Sequence, residues 1–272
     1  MALRLHLSAP NAHFRIMQSN NPRKTYPIPP YSTVMGVLAN ILGEKAEILF
    51  QHKFTLGVLS QYEYVNDDYI WLRNMSPAKH KKVFATETNR IRHEYPEHPG
   101  GQSPATIQTL NDVNVWIYLH HTDPQVEVVL KENLWLPEKW YSHLHLGRAE
   151  DWAIPESLSF VELKKRDNPS SFKDSKNYYQ WMPSPDSENF CQPFSEEYKE
   201  LFDKVSGNTV LVTAIYKKVN INNSIIRNFS HVPAKMTKSQ VPWLSPKRYP
   251  KLYCDIELNV PVYLVNIDPS KE

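Results

Sequence analysis

A mixed α/β (α+β) fold is predicted by three observations: a first strand that alternates apolar and polar residues, an apolar helix straight after it, and a strand–strand–helix–strand succession beyond. The order β-α-β-β-α-β is that of a ferredoxin-like (RRM-type) sheet. In "LRLHLS", Leu3, Leu5 and Leu7 alternate with Arg4, His6 and Ser8, the period of a half-buried strand. Ser32 is placed to cap a helix whose Val34, Val37, Leu38, Ile41 and Leu42 share one face, and Gly43 supplies its stop. "KFTLGVLSQYEYV" (53–65) is rich in β formers and closes at the turn-like "NDD". "VNVWIYLHH" (113–121) is β-branched and aromatic throughout. "PQVEVVLKENLW" (124–135) opens as a helix, with Asp123 as cap and Pro124 in the first turn, against the β-branched run Val126, Val128, Val129. "ESLSFVELKK" (156–165) closes the series as a strand. Further strands over 208–219 and 252–267 predict an additional C-terminal β-rich portion.

The polar, turn-rich "RDNPSSFKDSKN" (166–177) divides the chain into 1–165 and 178–272. Within the first part, residues 66–112 separate two strands that should be neighbours. Connections longer than about 15 residues are uncommon in compact domains and are usually functional or disordered. This one carries "AKHKKVF" and "NRIRHEYPEHPGGQ", where Gly100-Gly101 can turn a hairpin, so a protruding basic arm is expected.

With 272 residues, 41% of them hydrophobic, and a mean hydropathy of -0.53, the chain reads as soluble and globular. It has no run of about 18 apolar residues to cross a membrane, and its start shows no secretory signal. Cys191 and Cys254 alone suit a reducing cytoplasm. The net charge of +2 conceals a separation of sign. Residues 1–43 hold four basic and no acidic side chains, 71–93 hold six and one, and 217–251 hold eight and none. "DSENFCQPFSEEYKELFD" is an acidic counterpart. If the basic blocks converge they form a groove for a polyanion; if not, they are three solvated faces.

Seven glycines leave no phosphate-cradling loop, and two isolated cysteines make no zinc site. His143 and His145 would face the same way on a strand, as a ligand pair beside His120-His121 would. No carboxylate or third ligand accompanies them, so neither metal nor cofactor is expected. Metal-free RNA cleavage needs a general base and cationic stabilisation. His80 among Lys79, Lys81 and Lys82 has those residue types, and equally makes a phosphate grip, the commoner use. Aromatics interleave with the cations: Tyr26 and Tyr31 beside Arg23 and Lys24, Phe84 and Tyr95 along the arm with Arg90 and Arg92. Bases stacked on such rings gain about 1–3 kcal/mol each; the alternative is that Tyr26 and Tyr31 pack as core.

"TYPIPPYSTVMGVLANILG" resembles the Tyr-Pro-x-Pro-Pro segment and first helix of the CRISPR-associated RAMP superfamily, in particular the Cascade subunit that binds the crRNA 5′ handle, in its type I-B form. "HLHLGRAEDWA" (143–153) is similar to that family's Leu-Gly-Arg segment, and "LRLHLSAPNAHFR" to its first strand and Phe-Arg turn. The resemblance implies a palm with a thumb-like arm, clamping the handle beside the backbone and large subunits, with target DNA near the PAM as a further partner and no membrane. By motif, Arg15, the Tyr26–Ser32 segment and Arg148 would take part. The basic residues Arg23, Lys24, Lys79, His80, Lys81, Lys82, Arg90 and Arg92 would grip RNA, with Tyr26, Tyr31 and Ser32 at the helix entrance. The glycine-rich loop of many relatives is missing, which leaves the C-terminal half open. The type I-C relative cleaves precursor crRNA, whereas type I-B systems use a separate endonuclease, so binding without catalysis is implied. Two other readings stand beside it: a metal-independent endoribonuclease, and a scaffold for acidic protein partners.

Overall fold

A computed structural model describes residues 1–73, 91–92, 95–96, 102–166, 178–193, 195–221, 224–238 and 249–271. Its elements are β1 (Ala2–Ala12), β2 (Phe14–Arg15), β3 (Thr25–Tyr26), α1 (Tyr31–Leu42), β4 (Phe54–Gln61), β5 (Tyr64–Arg73), β6 (Ile91–Arg92), β7 (Tyr95–Pro96), β8 (Gln102–His121) and α2 (Pro124–Asn133). There follow β9 (Ile154–Val161), β10 (Leu163–Arg166), β11 (Tyr179–Pro183), α3 (Glu196–Lys204), β12 (Val210–Ile221), β13 (Ser224–Lys238), β14 (Leu252–Asp255), β15 (Val260–Pro261) and β16 (Leu264–Ile267). The class is mixed α/β, rich in sheet and with few helices.

The chain forms two compact units: Met1–Phe14, Tyr26–Tyr64 and Leu110–Glu272 make the larger, Arg15–Thr25 and Val65–Thr109 the smaller. The larger is built on a sheet in the order β12–β13–β11–β4–β8–β1–β9, with β16 also pairing with β4. All these pairings are antiparallel. The alternation in β1 has the expected effect: Leu3, Leu5 and Leu7 are buried, opposite Leu119, Ile117 and Val115 of β8. Those side chains and Leu56 and Val58 of β4 meet the apolar face of α1 (Val34, Leu38, Ile41) and Val126, Val129 and Leu130 of α2. The pleat sends Leu59 and Tyr118 to the opposite face, where they join Val161, Val260 and Val262 in a second cluster. A third forms around Tyr198, Leu201 and Phe202 of α3.

Helix α1 starts differently from expectation. Pro30, not Ser32, is its cap, with no side-chain hydrogen bond. Extended at φ -59°, ψ 154°, Pro30 lets the helix begin at Tyr31. Ser32 lies in the first turn, its Oγ 2.6 Å from Thr213 Oγ1. The far end is as expected: Gly43 at φ 58° donates its N–H to Ala39 and Asn40 carbonyls. Asn133 Nδ2 donates to the carbonyls of Ile41 and Leu42, 3.1 and 3.3 Å away, so the end of α2 caps the end of α1. Asp123 caps α2 by accepting from the Gln125 N–H at 2.9 Å.

Other boundaries move. "NDD" lies inside β5 rather than closing β4, and the break falls at Tyr62–Glu63. The strand expected over 156–165 splits at Glu162, β9 pairing with β1 and β10 with β14. In the smaller unit, β5 pairs with β8, and the Arg23 N–H and carbonyl bond Thr106 and Gln108 at 2.8 and 2.9 Å.

One ionic network ties the first strand to the last part of the chain. Asp255, 1% exposed, accepts from Arg4 Nη1 at 2.6 Å, and from the Tyr118 hydroxyl at 2.8 Å. Its other oxygen accepts the N–H groups of Glu257 and Leu258. Arg4 is thereby committed to the fold. Arg4→Ala leaves three donors on the carboxylate, so the expected loss is about 2 kcal/mol, below the ~3–5 kcal/mol of a stranded buried charge. Urea denaturation of the variant checks the figure.

Candidate nucleic-acid interface

The proline-rich entrance to α1 is held by packing. Trp181 Nε1 of β11 donates to the Pro29 carbonyl at 2.9 Å, and Tyr26 meets the Trp181 ring edge-on at 5.2 Å. Ile28 and Tyr31 are buried. Tyr31 is only 1% exposed, its hydroxyl enclosed without a partner and its pKa pushed up by burial. It offers no ring face to a base, which corrects the expectation of stacking there. Tyr26 is half-buried, and Ser32 is engaged with Thr213.

The cations divide by role. In the smaller unit Arg15 and Lys24 are exposed and Arg23 is half-buried. β5 of that unit adds exposed Tyr69 and Trp71, edge-to-face at 6.2 Å. These two rings escaped the sequence reading, although "YIW" places them at i and i+2, on one strand face. Lys79, His80, Lys81, Lys82 and Arg90 lie outside the described residues, as do Phe84 and Gly100-Gly101; Arg92 is described only as part of β6. In the larger unit Lys235 is structural: its Nζ donates to the Phe202 and Val205 carbonyls at 2.8 and 3.1 Å, closing α3.

Lys217, Lys218 and Arg227 are exposed on the β12–β13 ribbon. Lys218 and Arg227 face the outward side of α1 across an open groove of about 830 Å³. Ser32, Gly36 and Asn40 form the helix wall, and Tyr216, Lys218, Arg227 and Phe229 the ribbon wall. Tyr141, His145 and Gly147 lie at its border. The basic block 217–251 supplies Lys218 and Arg227 to the groove, whereas the block 1–43 supplies only neutral residues of α1 and none of its four cations. The sequence predicts a strand over 208–219 and a basic count over 217–251; the shared face of the ribbon residues comes from cross-strand register, Tyr216 opposite Phe229 and Lys218 opposite Arg227.

Arg148 is locked. Its Nε and Nη2 donate to Asp151 at 2.9 and 2.6 Å, and its backbone N–H donates to the same carboxylate at 3.2 Å. Asp151 is 1% exposed against 17% for Arg148. Gly147, at φ 101°, brings the backbone against His13 so closely that an added Cβ would lie 2.0 Å from the His13 carbonyl oxygen. The Leu-Gly-Arg segment therefore joins the start of the chain to its middle by packing. His143 Nε2 lies 2.7 Å from the Ala149 carbonyl, and its ring is 5.7 Å from that of His145. Among the described residues no three His, Cys, Asp or Glu side chains are grouped to hold a metal ion, and no helix is long and apolar enough to cross a membrane.

Residues 2–94 match the family described as "CRISPR-associated protein (Cas_Cas5)". No curated protein matches the chain in sequence. Among solved structures, it is similar to a chain of a "CRISPR RNA-guided surveillance complex" at 13% identity, covering 88% of this chain and 90% of that one, with a TM-score of 0.48. A CRISPR protein from Archaeoglobus fulgidus aligns at 12% identity over 98% and 91%, TM-score 0.38. A chain of the Type III-B Cmr-beta complex bound to cognate target RNA aligns at 13% over 85% and 86%, TM-score 0.40.

Proposed function

We propose that this chain is a non-catalytic crRNA-binding subunit of a type I CRISPR surveillance complex, of the I-B kind, that clamps the crRNA 5′ handle. The observation that carries the reading is the family match over residues 2–94. It spans the first strand, the proline-rich segment and α1, where the motif resemblance was strongest. On this reading 1–165 is a ferredoxin-like palm, in line with the antiparallel neighbours β4–β8–β1–β9 and the two helices that follow β1 and β8. Residues 66–112 are its thumb, and 178–272 a β-rich portion that packs on the palm. RNA is held by Arg15, Arg23, Lys24 and Tyr26 and by the arm residues Lys79, His80, Lys81, Lys82, Arg90 and Arg92. Arg148 serves the fold on this reading, since its Nε and Nη2 are held by Asp151. The backbone and large subunits are the protein neighbours, target DNA near the PAM a further one, and the cytoplasm the location.

The test uses the full chain and repeat-derived single-stranded RNA. Replacing Lys79, Lys81 and Lys82 together with alanine should lower the log–log salt slope of binding by roughly 2, about 0.7 per lost phosphate contact. An unchanged slope argues for a scaffold of acidic partners instead. Incubating the same protein with precursor RNA in EDTA should leave the RNA intact; handle-length product that His80→Ala abolishes would make it an endoribonuclease.

A further inference from the structure

The groove beside α1 has features that the fold does not require. Tyr216 and Phe229 form one cross-strand pair of the ribbon, and Lys218 and Arg227 the next but one, so all four point to the same face. Like charges directly opposite on neighbouring strands are destabilising. None of the groove's described lining residues is acidic, so neither cation meets a carboxylate among them. Arg227 lies over the Tyr216 ring at 4.7 Å, and Tyr216 is 5.5 Å from Phe229. A guanidinium resting its face on a ring keeps its N–H edge free for a phosphate. A register shift between Thr213 and Tyr216 re-aims this half of β12.

The helix wall adds an independent sign. Gly36 sits in the middle of α1, exposed, and a Cβ built there would meet nothing within 4 Å. Glycine weakens a helix interior relative to alanine, and no neighbour in the protein forbids the methyl group. Close approach by a ligand would account for it.

We infer that the groove between α1 and the β12–β13 ribbon binds one unpaired nucleotide of a single-stranded RNA, its base on the Tyr216–Phe229–Arg227 surface and its phosphate at Lys218 and Arg227. The inference rests on the RNA-binding reading above and adds to it a subsite whose rings and cations lie outside the matched segment. An aromatic floor with flanking cations suits a base and its phosphate together. An acidic peptide would satisfy the cations and leave the ring surface without a planar partner.

Fluorescence anisotropy with the full chain and single-stranded octaribonucleotides, one of uridine and one of mixed sequence, tests this. Tyr216→Ala should weaken binding about tenfold with the salt slope unchanged, and Tyr216→Phe should retain it. Lys218→Ala with Arg227→Ala should lower the slope by about 1.4. Gly36→Ala should raise the Tm by about 2–4 °C and still weaken binding about tenfold through the intruding methyl group. With 5-iodouridine in the probe, photo-crosslinks should map to Tyr216 or Phe229. If wild-type protein binds RNA while these variants bind equally well, the subsite is refuted and the RNA-binding reading stands. If wild-type protein binds neither probe nor repeat RNA, that reading falls as well. Variants that lose a protein subunit on reconstitution but keep RNA affinity would make the groove a protein-docking surface, and the inference would be wrong.

Discussion

Gly147→Ala should destabilise the fold severely. Two effects coincide at the position. The φ of 101° is one that L side chains rarely adopt, and the new Cβ would stand 2.0 Å from the His13 carbonyl oxygen and 2.9 Å from its carbon. Backbone, unlike a side chain, cannot rotate away. The strand β1 that ends beside His13 is held by β8 up to Ala12, so a shift of the His13 backbone would disturb that pairing. A loss of at least about 4 kcal/mol is expected, the range reserved for strain at special backbone positions. That corresponds to a Tm lower by roughly 8–16 °C. Gly207→Ala is the control. Its φ is 110°, yet nothing lies within 4 Å of the added Cβ. It carries the conformational cost alone, about 1–3 kcal/mol. Equal losses at the two positions would show that the contact with His13 contributes nothing.

The contrast among glycines bears on what could be read from the sequence. Local patterns were legible wherever one face is buried by near neighbours. β1 announces itself because Leu3, Leu5 and Leu7 must all point inward, and α2 because Asp123 and Pro124 define its start. α3 was equally legible and was passed over. Ser195 accepts from the Tyr198 N–H, and Tyr198, Leu201 and Phe202 form its buried face, but six acids nearby drew the segment into a charge tally. β13 was hidden in the same way by the basic count over 217–251. What no local pattern contains is which strands meet. The union of the C-terminal strands with β4 depends on Gln180 opposite Leu59 and Val265 opposite Leu56.

The candidate site divides along the same line. Residue types identified a cationic, aromatic chain, but a count cannot say which cations are occupied. Arg4 answers Asp255, Arg148 answers Asp151 and Lys235 closes α3, while Lys218 and Arg227 face each other in a groove whose described lining residues include no carboxylate. Arg148 finds its partner three residues on, but the other assignments need a partner distant in sequence or a strand register. Tyr26 and Tyr31 make the point for aromatics: the two rings share one motif, yet the first is half-buried and the second is core.

Arg148→Ala is expected to separate a structural role from an RNA-binding one. The carboxylate of Asp151 is almost wholly removed from water and takes two charged donors from Arg148. Without them it keeps only the backbone N–H of residue 148. A buried charge that loses its partner costs about 3–5 kcal/mol, so the urea midpoint should fall accordingly. Arg148→Ala with Asp151→Leu removes both charges and should recover much of that loss, since the penalty belongs to the unpaired carboxylate rather than to the missing pair. RNA binding discriminates the two roles. If Arg148 contacts phosphate, the salt slope of the folded variant drops by about 0.7. If it serves only to neutralise Asp151, the slope is unchanged in both the single and the double variant, and any change in affinity follows the folded fraction. The geometry at Asp151 favours the second outcome, because Nε and Nη2 of Arg148 already donate to the buried carboxylate.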